Sequence, residues 1–80
     1  MIPTLLLLDG YRFFFYSNES NEPAHVHVEK GSGEGKIWFE STLEIAWMYR
    51  FSSREENEIW EIAGKHATNF KTKWYEYFGK

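Results

Sequence analysis

No cysteine occurs among the 80 residues. That absence excludes disulfides, thiolate metal sites and a cysteine nucleophile, and it agrees with a reducing, cytoplasmic location. A long apolar run is missing too. The opening "MIPTLLLLDG" holds only Leu5 to Leu8 before Asp9-Gly10 ends the stretch, without the basic leader or the length of a signal peptide or membrane span. A soluble protein with no membrane partner is the expectation. Basic excess is lacking as well. A formal charge of −3 and a pI near 5.6 argue against a general nucleic-acid binder and give no strong DNA-binding signature, leaving only a local basic patch for RNA. No repeat, linker or low-complexity tract divides the chain, so residues 1–80 read as one domain.

What the chain does have is aromatic area: seven Phe, five Tyr and four Trp. A chain of this size buries only about 60% of its unfolded surface, so its stability is marginal. Phe, Tyr and Trp supply the largest apolar area per side chain.

Two apolar runs, Leu5 to Leu8 and Tyr11 to Tyr16, flank Asp9-Gly10, a strong hairpin signal. "SNESNEP" (17–23) is a polar loop of turn-forming residues. Ala24 to Lys30 then alternates, "GSGEG" reads as a flexible hairpin turn, and "KIWFE" follows. At Ser41 the period changes. Ser41 with Glu44, and Ser52 with Glu55, both fit the S-x-x-E capping box. Beyond Ser52, Ile59, Ile62, Ala63, His66, Phe70, Trp74 and Tyr77 recur at three- and four-residue steps, one face of a helix. Its first half carries Glu55, Glu56, Glu58 and Glu61 and its second half Lys65, Lys71 and Lys73, an order that suits the macrodipole of a solvated helix. Gly64 is its weak point and marks a bend or a close crossing. The expected fold is α+β: a four-stranded antiparallel β-meander (about 4–8, 11–16, 24–30 and 36–40) followed by two C-terminal helices (about 42–50 and 53–78).

On an extended 24–30 segment, His25, His27 and Glu29 share one face and Val26 and Val28 the other. Val26 and Val28 are the natural core pair, yet folding the neighbouring strand back through a short turn can place His27 beside Phe39 and Phe13, and a one-residue slip reverses this. The Tyr11 to Tyr16 strand is aromatic on both faces. Either the sheet is covered on both sides or another chain buries its open face. A homodimer or a cognate small partner protein is the expectation.

The stretch "IPTLLLLDGYRFFFYSNESNEPAHVHVEKGSGEGKIWFE", then "RFSSREENEIWEI" and a closing "WYEYF", resembles the small bacterial family catalogued as domain of unknown function 4160. Its members look like M-P-T-I at the start, then G-Y-R-F-F-F-Y-S, a P-P-H-V-H-V stretch and a G-F-S-x-R-E helix start. This chain departs from that pattern at Ala24, in place of the second proline, and at Arg50, where glycine is common. The second departure removes an easy left-handed cap. Genes of this kind often lie beside a second small family, and such pairs are catalogued computationally as toxin–antitoxin modules. The resemblance therefore implies a toxin-like component of a two-gene pair.

Three chemistries fit the residues. As a metal-independent ribonuclease, His25 and His27 would act as general base and acid, with Arg12 or Lys30 on the phosphate and Tyr11 or Tyr16 stacked on a base. As a divalent-metal protein, His25 and His27 would be joined by Glu29 or His66 as third ligand. As an interaction module, the histidines would be structural and the aromatic face would bind a protein. In that reading Trp60 is a packing contact or an interface anchor. "GSGEG" matches neither a P-loop nor a dinucleotide fingerprint. Action mainly through protein contact is the leading expectation, with no cofactor assigned.

Overall fold

A computed structural model describes residues 4–79; the M-P-T-I-like start at Met1 to Pro3 lies outside them. Five strands precede one helix: β1 (Thr4–Leu8), β2 (Tyr11–Phe14), β3 (His25–Lys30), β4 (Gly33–Trp38), β5 (Glu44–Tyr49) and α1 (Ser53–Phe78). The strands form one sheet in the order β1-β2-β3-β4-β5, every neighbouring pair antiparallel. The α+β class and the meander are present, but the count is five strands and one helix rather than four and two. Among the described residues no helix is long and apolar enough to cross a membrane.

The first hairpin turns where Asp9-Gly10 placed it. Both residues have positive φ, 53° and 84°, the conformation that lets a two-residue turn follow the twist of its strands. The expected helix over 42–50 is instead strand β5. "EIAWMY" alternates, with Met48 opposite Gly35 on β4 and Trp47 opposite Lys36. A single apolar turn is too short to nucleate a helix, whereas pairing with β4 satisfies the backbone at once. The Ser52 signal does open a helix. The Ser52 hydroxyl accepts from the Glu55 N–H, and the Glu55 carboxylate accepts from the Ser52 N–H. Gly79 closes the helix in the left-handed region, its N–H donating to the Tyr75 carbonyl.

The "GSGEG" segment is only partly a turn, because Gly33 and Gly35 belong to β4. Neither position has room for a side chain. Phe51 and the Arg50 carbonyl lie against Gly33, and Met48, Val28 and the Trp47 carbonyl against Gly35. Arg50, where the family pattern has glycine, takes the left-handed conformation regardless, with φ 61°. That costs a non-glycine residue on the order of 1 kcal/mol.

Helix α1 lies across one face of the sheet. The core joins Tyr11, Phe13, Val26, Val28 and Ile37 from the strands to Ile59, Ile62, Ala63, Phe70 and Trp74 from the helix. Val26 and Val28 are thus the core pair of β3. On the opposite face Arg12 pairs with Glu29 and Phe14 with His27 across β2 and β3, and His27 with Lys36 across β3 and β4. Around Gly64, which is exposed, a Cβ would meet open space, so no close crossing occurs there.

Candidate functional site

The loop between β2 and β3 folds back against β3 and β4, where Glu19 meets His25 and His27 and Glu22 meets Lys36. Two successive turns shape it: the Glu19 N–H donates to the Tyr16 carbonyl and the Glu22 N–H to the Glu19 carbonyl. The Tyr16 N–H in turn donates to Oε1 of Glu19 at 2.8 Å. Further along, Lys36 Nζ donates to Glu22 Oε1 at 2.7 Å while lying over the Trp38 ring. A segment rich in turn formers is thereby held at two points.

Glu19 is the hinge of the site. Its Oε2 lies 2.9 Å from His27 Nε2 and its Oε1 lies 3.0 Å from His25 Nε2. Burial pushes this carboxyl up, but hydrogen bonds from His27 and the Tyr16 N–H, together with His25, outweigh it and hold the group below its ordinary value. An ionised carboxylate only accepts, so His27 Nε2 is a donor. His25 differs. Its Nδ1 lies 2.9 Å from the Pro23 carbonyl, which can only accept, so the Nδ1 carries the proton. Its Nε2 is buried and faces Glu19 Oε1 at contact distance, yet no hydrogen bond of acceptable geometry closes between them.

Aromatic rings wall in both imidazoles. His25 is fully buried among Trp74, Trp38 and His27, ring centroids 5.0–5.3 Å away. His27 stacks on Phe14 and meets the edge of Tyr16, and its side chain keeps 13% exposure. The accessible edge of His27 gives onto a shallow depression of about 250 Å³, lined among others by Phe14, Tyr16, Glu29, Glu34 and Trp47.

The residues singled out from the sequence separate into distinct places. His25 and His27 do come together, but Arg12 does not join them. Its guanidinium bonds to Glu29 Oε2 and Thr4 Oγ1 and lies over Phe14. Tyr11 is fully buried and its hydroxyl donates to Glu58 at 2.7 Å, so its ring offers no platform to a base. Burial, then the Glu58 hydrogen bond, pushes that phenol well above its ordinary value. Lys30 Nζ sits over the Tyr11 ring. Tyr16 is partly exposed beside His27, and Trp60 is similarly exposed on α1. The two third ligands weighed for a metal are elsewhere: Glu29 pairs with Arg12 and His66 packs against Phe70. Glu19 takes that place instead. Its donor atom and one from each of His25 and His27 all lie within 4.8 Å of one another. In the sequence Glu19 is one polar residue of a turn-rich loop, and only the folding-back of that loop reveals it.

An acid–base pair needs both imidazoles within reach of one substrate. Here one ring is enclosed with Nδ1 engaged, and the other shows an edge. The arrangement suits holding a loop and binding a small cation better than turning over a polymer. No curated protein and no solved structure matches the chain. Residues 10–75 match the family described as domain of unknown function (DUF4160), a span that takes in the loop, both histidines and all of β2 to β5, and the chain belongs to that family.

Proposed function

We propose that this domain is an interaction module, the toxin-like half of a two-gene pair, which works by docking a cognate small protein on the helix-free face of its sheet. One observation carries the reading. Trp47 and Tyr49 of β5 are 43% and 55% exposed, they pair with Lys36 and Glu34 on the face away from α1, and Tyr16 adds a third half-exposed ring beside His27. Contiguous exposed aromatics are uncommon on a monomer and typical of the centre of a protein interface. The charges of this face are largely spent on one another, in Arg12–Glu29 and Lys36–Glu22, which leaves aromatic area as its main means of recognition.

The test is the mass of the tag-free chain at micromolar concentration, alone and coexpressed with the product of the adjacent gene. A stable complex that Trp47→Glu and Tyr49→Glu each dissolve, without loss of fold, supports the docking face. A monomer that retains no neighbour ends the proposal. A homodimer that excludes the neighbour would replace the cognate partner with a second copy. The ribonuclease alternative loses support from the enclosure of His25. RNA cleavage by wild type that His27→Ala abolishes would restore it.

A further inference from the structure

We propose that Glu19, His25 and His27 bind one divalent first-row transition-metal ion, with zinc as the reference case. The site is assembled from two imidazole nitrogens and one carboxylate, a donor set that suits zinc and its neighbours. The decisive feature is the Nε2 of His25. It is fully buried, has no hydrogen-bond partner and lies 3.0 Å from Glu19 Oε1. With Nδ1–H committed to the Pro23 carbonyl, Nε2 is the ring atom left to ligate, and it lies beside a carboxylate oxygen. A divalent cation shared by Nε2 and the carboxylate would satisfy both groups. The same Nδ1–H to carbonyl bond is the support that metal-bound histidines usually have, because it fixes the tautomer and leaves Nε2 free to ligate.

The carboxylate is prepared in the same way. The Tyr16 N–H holds Oε1, and the loop turns set the position of the Glu19 backbone. Tetrahedral zinc with bonds of about 2.0 Å spaces its ligand atoms roughly 3.3 Å apart. The Glu19–His25 and Glu19–His27 contacts, 3.0 and 2.9 Å, use the two different carboxylate oxygens, and the three donor atoms lie within 4.8 Å of one another. The ion takes the place of the proton on His27 Nε2. His27 and Glu19 are the ligands that keep some exposure, 13% and 12%, so the ion enters from their side.

The probes are zinc and cobalt(II) added to tag-free, chelator-stripped full-length protein, followed by calorimetry and visible absorption. One ion per chain is expected, with cobalt d–d bands of low coordination number and a raised thermal midpoint. Glu19→Gln keeps an acceptor and a donor between the rings, so the loop is retained while the anionic ligand is lost. That variant and His27→Gln should each weaken binding by about tenfold or more, whereas His66→Ala should leave it unchanged. Circular dichroism confirms that each variant is folded. Absence of saturable binding at about 1 mM zinc, far above any useful dissociation constant, overturns the proposal. So does binding that Glu19→Gln and His27→Gln leave intact.

Discussion

Removing Glu19 tests whether the site also holds the fold when no metal is present. In Glu19→Ala the Tyr16 N–H, the His27 Nε2–H and the buried face of His25 all lose their shared partner. The bond from His27 to a carboxylate is worth about 1.5–3 kcal/mol and the Tyr16 bond about 1 kcal/mol. Leaving a buried polar group without its partner costs about 1–3 kcal/mol. The residual exposure of His27 lets water replace part of this, so we expect a loss of about 3 kcal/mol. For a chain this short that is a large share of a total on the order of 4–12 kcal/mol. With a urea m-value of about 1 kcal/mol/M, the midpoint should fall by about 3 M at pH 7 in chelator. The sign of the pH dependence follows from Glu19, whose folded-state pKa is lowered. Its contribution is present above the unfolded value near 4.3 and is lost as pH falls through the folded value. The gap between wild type and variant should therefore close in acid. A midpoint shift under about 0.5 M at pH 7, or a gap that persists unchanged at low pH, would refute the reasoning.

Two glycines should respond to alanine with opposite signs. At Gly33 a Cβ would stand 2.6 Å from Phe51 Cδ1 and 2.9 Å from the Arg50 carbonyl. Because backbone cannot yield, chemical denaturation should show a loss of about 1–3 kcal/mol. At Gly64 nothing lies within 4 Å, and alanine should gain up to about 1 kcal/mol from helix propensity. Tyr11→Phe removes the hydroxyl bonded to the partly exposed Glu58 and should cost about 1 kcal/mol at neutral pH. Since the folded-state pKa of Tyr11 is raised, wild type should lose stability as pH climbs past about 10. The phenylalanine variant should escape that part of the loss, and parallel alkaline melting curves for the two proteins would contradict it.

The fold was legible where local chemistry decides it. Asp9-Gly10 needs no distant partner to make its turn, and the Ser52 box is followed by a long apolar stripe that Ile59, Ile62, Phe70 and Trp74 bury. The identical pattern at Ser41 misled, because a cap specifies a helix only where the residues after it can pay for one. "LEIAWMY" is short, bulky and alternating, and the free edge of β4 was the competing partner. Glycine misled in the same region. "GSGEG" looks like pure turn until Phe51 and Met48 are seen lying over Gly33 and Gly35. That His25 and His27 share a face was readable from parity, but which face meets the helix was not. Nor was the carboxylate that would meet them, since that depends on the path of a loop whose residues carry no period.

That loop also joins the two proposals. Glu19 binds the Tyr16 N–H with the carboxylate that bridges the histidines, and Tyr16 and His27 both border the depression that reaches Trp47. An ion at Glu19 would fix the rim of the docking face in one geometry and so lower the ordering cost of binding a partner. Such coupling is reciprocal. If zinc tightens the complex by some factor, the partner must tighten zinc by the same factor. Titrating each ligand in the presence and absence of the other measures both numbers. Equal factors above one would show a single preorganised loop serving site and surface together. Two factors of one would show that the cluster and the aromatic face, though adjacent, act independently.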